Sequence, residues 1–198
     1  MSRLILASAS AARRSLLQNA GLAFESLPVR IDEDAIRQSL ITEGATPRDI
    51  ADALAEFKAR KATERAPGHL ILASDQILAL RGEIFAKPRD REDAARDLHR
   101  LSGHTHHLYS AAVIYEDAKP VWRGVGTARL SMHTHSEAQI NAYLDQAWPD
   151  VSSSVGAYHA EGLGAQLFSR IEGDWFSVLG LPLLQVLSYL RMRGMVAP

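Results

Sequence analysis

The segment LILASASAARRSLL, residues 4–17, passes from an apolar run through two serines and two arginines and becomes apolar again. Its first part, Leu4–Ala7, predicts a short buried strand, because four apolar residues precede a turn of small residues. Leu16-Leu17 predicts the apolar side of a helix that stops near Gly21. Ser10 lies between the two elements and is a residue type that caps helix N-termini. The stretch therefore predicts a strand, a tight turn and a helix in succession.

Two arginines stand in the first turn of this predicted helix. Arg13 and Arg14 lie where the helix dipole is already positive, so their position indicates that something negative joins them. The free N–H groups at a helix N-terminus bind phosphate. Ser8 and Ser10 would add hydroxyl donors, and Arg13 would grip a phosphate through two N–H bonds. The alternative is an ordinary strand–helix turn with two solvated arginines.

The rest of the chain alternates predicted helices and strands. Helix starts are predicted at Thr46, Asp90, Ser136 and Pro182. The first of these helices runs to about Thr63. Strands are predicted over residues 69–80, 84–86, 106–116 and 121–133, with turns at 81–83 and 117–120. Residues 149–180 are glycine-rich and irregular, which is typical of binding loops. Early alternation followed by long hairpins predicts an α/β fold with a mixed twisted sheet and flanking helices.

Composition narrows the class of protein. The chain has 198 residues, a net charge of -1 and no cysteine. Its length suits one domain over residues 1–198, with two lobes sharing a core. The small net charge argues against nucleic acid or an anionic membrane as a partner, and no apolar run approaches the roughly 20 residues of a membrane span. With no signal-peptide pattern, we expect a cytoplasmic protein.

One acidic residue interrupts the most apolar strand. Asp75 lies within residues 70–80, where an ionised carboxylate must be hydrogen-bonded, bound to a metal or functional, because burying a lone charge is costly. The structural alternative is an aspartate that accepts backbone N–H bonds at a strand end. Lys87 follows the next turn, and Pro88 would hold it in one place.

Histidines and a charge run offer competing interpretations. Five histidines lie near the two long strands: His104, His106, His107, His133 and His135. A zinc site is one interpretation of their spacing, and exposed strand histidines are the other, which we favour. The run of charges at residues 89–93 is interpreted as a solvated helix start.

Many short motifs in the chain resemble one family when taken in order. The pieces are LASASAARR (6–14), IDE (31–33), EFKA (56–59), SDQ (74–76), AKP (86–88), LSGHTH (101–106), GAY (156–158), EG (161–162) and GLPL (180–183). They resemble the Maf family patterns L-A-S-x-S-P-x-R-R, V-D-E, E-x-K-A, S-D-Q/T, G-K-P and L-S-G-R-T-H. The resemblance covers nearly the whole chain.

This resemblance implies an enzyme. Maf proteins are nucleoside triphosphate pyrophosphatases that cut between the α and β phosphates, releasing a nucleoside monophosphate and pyrophosphate with a divalent metal, Mg²⁺ or Mn²⁺. Their fold is related to the inosine triphosphatases (Maf/Ham1), with a central cleft between two lobes. Dimers are common, so a homodimer is expected. The substrate would be a small nucleoside triphosphate.

The resemblance also implies roles for individual residues. Asp75 would be the proton acceptor that activates water, and Glu33 would join it as a catalytic and metal-binding partner. The triphosphate would be held by Ser8, Ser10, Arg13, Lys58 and Lys87. This agrees with the residue chemistry, in which a buried base acts while cations absorb charge in the transition state.

Base preference in the family varies at three positions, which are Ala12, Gln76 and Glu161 here. Gln76 and Glu161 resemble the 7-methyl-GTP branch, and a carboxylate can accept hydrogen bonds from N1–H and the amine of guanine. That branch often has an aromatic residue where Ala12 stands. Ala11 replaces the usual proline, and His104 replaces a basic residue, which would either remove a fixed charge or make phosphate contact depend on pH.

Three alternatives stay open at this point. The first is a dTTP/UTP pyrophosphatase, the same chemistry with another base. The second is a nucleotide-binding regulator without significant catalysis, since Maf proteins are linked to inhibition of septum formation. The third is a histidine-based zinc hydrolase.

Overall fold

The computed structural model describes residues 3–196, so the ends of the predicted domain, residues 1–2 and 197–198, lie outside it. The strands form one seven-stranded sheet in the order β2-β1-β3-β5-β6-β7, with β4 paired to β3. Their bounds are β1 Leu4–Leu6, β2 Glu25–Ser26, β3 Leu70–Leu80, β4 Glu83–Phe85, β5 Thr105–Glu116, β6 Lys119–Met132 and β7 Phe168–Gly173. β1 runs parallel to β2 and β3, and the other pairs are antiparallel. The predicted mixed sheet is confirmed.

Seven helices flank the sheet in the described range. They are α1 Ala11–Asn19, α2 Glu33–Thr42, α3 Pro47–Arg65, α4 Arg91–Leu101, α5 Glu137–Ala147, α6 Trp175–Val178 and α7 Leu183–Met192. Ser10, Thr46, Asp90 and Ser136 cap α1, α3, α4 and α5 as predicted, each accepting a backbone N–H three residues ahead. None of these helices, within residues 3–196, is long and apolar enough to cross a membrane.

Four elements differ from the sequence-based expectations, and one of them is α6, which lies inside residues 149–180, where an irregular segment was expected. α2 was not predicted, because its apolar side is short: Ile36 and Leu40 are only partly buried against the core, and no side chain of the helix is fully buried. β2 was also missed, since it has only two residues, both exposed. β7 lies inside residues 149–180, which were expected to be irregular. It is a half-exposed strand at the edge of the sheet.

Alternate residues of β3 face opposite layers of helices. Ile71, Ala73 and Ile77 pack in the core under α3, and Leu70 and Leu72 pack in the core with residues of α1 and α7. Asp75 has the same parity as Ile71 and Ala73. Its side chain therefore meets α3, which brings it to Lys58.

β3 has one edge with an interruption in its pairing. β1 pairs only with residues 70–72 of β3, and β4 pairs only with residues 78–80. β5 covers the other edge continuously from residue 71 to 79. Residues 73–77 therefore have a strand neighbour on one side alone, and Asp75 lies at the centre of this gap.

Candidate active site

A large cleft opens at the gap in the sheet. Its volume is about 1650 Å³. All ten residues singled out from the sequence line it: Ser8, Ser10, Ala12, Arg13, Glu33, Lys58, Asp75, Gln76, Lys87 and Glu161. They come from the β1–α1 turn, the first turn of α1, α2, α3, β3, the segment after β4, and the loop before β7. The fold thus gathers in one place residues that are up to 153 positions apart in sequence, from Ser8 to Glu161.

Asp75 is paired with a lysine at the floor of the cleft. Its residue exposure is only 6 %, and Lys58 Nζ donates a hydrogen bond to its Oδ1. The Oδ2 atom makes no hydrogen bond within residues 3–196 and is not buried, so it faces the cleft. The structural alternative of backbone N–H bonds at a strand end is wrong. Asp75 lies in the middle of β3, and its carboxylate accepts a hydrogen bond from the side chain of Lys58.

Glu33 is the second carboxylate of this cluster. Lys58 Nζ lies 2.9 Å from Glu33 Oε1, so one ammonium group contacts both acids. Burial alone would raise the pKa of Glu33, but Lys58, with smaller contributions from Lys87 and Arg13, outweighs it and lowers that pKa. Glu33 is therefore held ionised.

The turn between β1 and α1 has the features of an anion site. Ser8 Oγ accepts the backbone N–H of Ser10 at 3.2 Å, and Ser10 Oγ accepts that of Arg13 at 3.3 Å. Both hydroxyl hydrogens remain free to donate. The first turn of α1 contains no acidic side chain, and the backbone N–H groups of Ala11 and Ala12 make no hydrogen bond within residues 3–196, so they are available to an anion.

Arg13 is engaged more fully than the sequence predicted. Its Nε donates to the carbonyl of Gly180 at 2.8 Å, and its Nη1 donates to the carbonyl of Ser74 at 2.9 Å. Burial lowers the pKa of its guanidinium, while Asp75 and Glu33 oppose that shift. The expected two-bond grip on phosphate must therefore share N–H groups with the protein, and Nη2 is the nitrogen that makes no hydrogen bond within residues 3–196.

Gln76 fastens the segment 177–180 to the sheet. Its Nε2 lies 3.0 Å from Ser110 Oγ, 3.0 Å from the Ser177 carbonyl and 3.1 Å from the Val178 carbonyl. Ser74 Oγ donates to the Gly180 carbonyl at 2.9 Å on the same segment. The amide nitrogen of Gln76 is thus turned inward, and its Oε1 makes no hydrogen bond in the described residues and is not buried.

Sequence reasoning missed the residues that build this attachment. Ser110 is fully buried in β5, and its hydroxyl donates to the Ser177 carbonyl at 2.7 Å. Gly180 has a φ of +95°, a conformation that favours glycine. The GLPL motif marked this position in the sequence, but nothing there indicated that its carbonyl accepts two side-chain hydrogen bonds.

The charge run at residues 89–93 is not simply solvated. Arg89 and Asp93 line the cleft and pair through Arg89 Nε and Asp93 Oδ2 at 2.7 Å. Asp97, one turn further along α4, also lines the cleft, and burial raises its pKa although Arg100 and Arg96 oppose this. This wall of the cleft therefore carries charges of both signs.

The histidines do not form a metal site in this structure. His106 is fully buried, which contradicts the expectation of an exposed strand histidine, and its Nε2 lies 2.7 Å from the Tyr158 hydroxyl. Residues 3–196 hold no group of three or more His, Cys, Asp or Glu side chains placed to bind a metal ion. His104 contacts Arg81 at 3.4 Å and is not among the cleft-lining residues. The zinc alternative thus lacks a ligand set in the described residues.

The donor set of the cleft suits a hard divalent cation. Mg²⁺ is usually held by one or two carboxylates together with substrate phosphates, not by a cage of protein ligands. Glu33 and Asp75 supply two carboxylates that already converge on one positive group, the ammonium of Lys58. These two residues therefore could bind Mg²⁺ or Mn²⁺ together with substrate phosphates.

Comparisons with known proteins agree with this architecture. The chain is 51% identical over 191 residues to a nucleoside triphosphate pyrophosphatase of Roseobacter denitrificans, covering 96% of each chain. It is 46% identical over 194 residues to a 7-methyl-GTP pyrophosphatase of Mesorhizobium japonicum, covering 98% of each. A HAM1 protein from Coxiella burnetii shares the fold, with a TM-score of 0.52, 14% identity and coverage of 97% of this chain and 100% of that one. The family model for Maf-like proteins matches residues 3–193, and the chain belongs to the Maf family.

Proposed function

We propose that this protein hydrolyses the bond between the α and β phosphates of a nucleoside triphosphate and prefers 7-methyl-GTP or another modified nucleotide. Water and the triphosphate would yield a nucleoside monophosphate and pyrophosphate. The proposed reaction is based on the names of the protein's relatives, and the proposed nucleobase is based on the name of one of them. Removal of non-standard nucleotides would be its role.

The observation that carries this proposal is the placement of Asp75. Its Oδ1 is held by Lys58, which fixes the orientation of the carboxylate, and its Oδ2 faces the cleft. A positioned carboxylate with one free oxygen can take a proton from a water molecule. A protein that only bound nucleotides would not need a buried base beside its phosphate-binding cations.

The phosphates would lie along the β1–α1 turn. The hydroxyls of Ser8 and Ser10 and the N–H groups of α1 would donate to phosphate oxygens, and Arg13 Nη2 and Lys87 would add positive charge. These groups also oppose the charge that develops on the leaving pyrophosphate. A divalent ion held by Glu33 and Asp75 would, when bound, neutralise further charge on the phosphate oxygens.

The nucleobase would be recognised by hydrogen-bond acceptors of the protein. Because Gln76 Nε2 already donates to acceptors within the protein, the Oε1 atom is the part of the Gln76 amide that can contact a ligand. Glu161 adds an exposed carboxylate. Guanine presents two adjacent donors, N1–H and the 2-amino group, which two acceptors can bind. Methylation at N7 adds positive charge to the base, which the carboxylate of Glu161 would favour. Ala12 itself supplies no aromatic ring to stack on the nucleobase.

The test is a substrate panel. Purified protein with Mg²⁺ or Mn²⁺ would be given 7-methyl-GTP, GTP, dTTP, UTP, CTP and ITP, and the products separated by chromatography. We expect monophosphate and pyrophosphate from 7-methyl-GTP above all others. A preference for dTTP and UTP would support the proposed reaction but contradict the proposed preference for a methylated guanine. Binding without turnover of any member would favour the regulatory alternative.

The proposal also includes the setting of the enzyme. We propose a single domain that acts as a homodimer in the cytoplasm, with a nucleoside triphosphate as its partner and no nucleic acid or membrane. Sedimentation at several protein concentrations tests the dimer, and cell fractionation tests the location.

A further inference from the structure

The ammonium group of Lys58 lies where a metal ion would otherwise balance the two acids. Lys58 Nζ contacts Asp75 Oδ1 and Glu33 Oε1 at once, and the Lys58 and Asp75 side chains are only 10% and 9% exposed. A buried carboxylate requires a counter-charge, because leaving it unpaired costs several kcal/mol. In the absence of ligands, Lys58 therefore supplies the positive charge for both carboxylates.

The charges around this pair disfavour the binding of an additional cation. Two acids, Asp75 and Glu33, face three bases, Lys58, Arg13 and Lys87, and Arg13 and Lys87 both act electrostatically on Glu33. A divalent ion added to this group would enter a cluster that already carries a net positive charge. A triphosphate reverses this balance, because it adds several negative charges beside Lys58 and Arg13.

We propose that Lys58 acts as an exchangeable internal cation: it occupies the metal position between Asp75 and Glu33 in the nucleotide-free protein and moves to the triphosphate when metal and nucleotide bind together. The metal would then replace Lys58 in holding the Asp75 carboxylate in the orientation that Lys58 gives it in the free protein. The metal then binds weakly to the free protein and tightly in the presence of a triphosphate. By linkage, the metal strengthens triphosphate binding by the same factor. This inference rests on the metal dependence in the proposed function and adds an order of binding to it.

The first experiment compares metal binding by lysine variants without nucleotide. Lys58→Met keeps an aliphatic chain and removes the charge, so Asp75 and Glu33 lose their counter-charge. Lys61→Met, one turn further along α3, is the matched control, because Lys61 is exposed and donates to the Arg30 carbonyl outside the acid cluster. Calorimetric titration with Mn²⁺ should show at least tenfold tighter binding to Lys58→Met than to the wild type or the control.

Thermal unfolding gives a second readout that does not need activity. Lys58→Met should have a lower Tm than the wild type, and Mn²⁺ alone should raise it, because a ligand that binds only the folded state stabilises it. For the wild type, Mn²⁺ alone should shift the Tm little, whereas Mn²⁺ with inorganic triphosphate should shift it strongly. This wild-type comparison needs no variant and holds even if Lys58→Met fails to fold.

Two results would overturn the inference. One is Mn²⁺ binding to Lys58→Met that is no tighter than to the wild type, and the other is a wild-type Mn²⁺ affinity that triphosphate does not change. Turnover separates this inference from the proposed function. If the protein cleaves nucleotides but Lys58→Met does not bind Mn²⁺ more tightly, only the cation exchange is contradicted. If Lys58→Met binds Mn²⁺ more tightly but no nucleotide is cleaved, only the proposed reaction is contradicted.

Discussion

The Nε of Arg13 donates a hydrogen bond to the carbonyl oxygen of Gly180 at 2.8 Å, across 167 positions of the chain. The same guanidinium donates to the Ser74 carbonyl, so one side chain joins α1, β3 and the segment 177–180. Arg13 thus builds the cleft as well as carrying charge into it. Its replacement should affect both the stability of the protein and its activity.

Arg13→Lys should lower the free energy of unfolding by about 2 kcal/mol, because a lysine cannot donate to two separate carbonyls in a planar fork. It should also reduce kcat/KM roughly tenfold or more, since the segment 177–180 would lose an attachment. Urea unfolding and steady-state kinetics measure the two effects. Arg14→Lys is the matched control, because the Arg14 side chain makes no hydrogen bond or ion pair within residues 3–196. Equal effects of the two variants would contradict this role of Arg13.

Asp75→Asn should reduce turnover by roughly 100-fold or more, because an amide cannot accept the proton of the attacking water. The fold and nucleotide binding should survive, since the amide oxygen can still accept from Lys58. Single-turnover assays and calorimetric binding of the nucleotide separate the two quantities. Asp52→Asn is a control, as Asp52 pairs with Arg123 and does not line the cleft. Full activity of Asp75→Asn would remove Asp75 from the mechanism.

Gln76→Glu should destabilise the protein by about 1–3 kcal/mol, because a carboxylate cannot donate to the carbonyls of Ser177 and Val178. With the segment 177–180 loosened, the ratio of kcat/KM between 7-methyl-GTP and UTP should also fall. Gln146→Glu provides the comparison, since exposed Gln146 makes one hydrogen bond to its own helix. An unchanged free energy of unfolding for Gln76→Glu would show that these contacts do not hold the segment.

Acid should destabilise the protein through His106. Burial, together with the charge of His107, lowers the pKa of His106 to about 4 from its usual 6.5. The unfolded chain therefore binds more protons than the folded one below pH 6.5, so stability falls as the pH drops from about 6.5 towards 4. Between pH 7 and 5 this single group should cost about 2 kcal/mol.

Urea unfolding at a series of pH values measures this loss. His106→Gln should flatten the profile between pH 7 and 5, even if its stability at pH 7 is lower. His107→Gln, at the half-buried neighbouring position, should keep most of the slope. A slope that persists in His106→Gln would assign the acid sensitivity to other groups.

Local signals in the sequence predicted most of the fold. Ser10, Thr46, Asp90 and Ser136 cap helices within three residues of themselves, so short stretches of sequence contain the whole interaction. α2 escaped prediction because its apolar side is short: Ile36 and Leu40 pack against the core under α3 and are only partly buried.

The cleft was predicted less completely than the fold, and the reason is the kind of atom involved. Side chains such as Asp75 and Lys58 stand out by residue type and position. The partners of Gln76 and Arg13 are backbone carbonyls, which every residue possesses, so the sequence around Ser177 and Gly180 carries no mark of them. Their role appears only when distant segments are brought together.

The attachment of the segment 177–180 to β3 also has a consequence for synthesis on the ribosome. The Ser8–Arg13 turn, Lys58 and Asp75 are all made early, but the carbonyls that hold Arg13 and Gln76 in place arrive about a hundred residues after Asp75. Until residues 177–180 are made, the side chains of Arg13 and Gln76 therefore lack the carbonyls that hold them in the finished protein. The finished cleft, and any hydrolysis in it, must await the release of nearly the entire polypeptide.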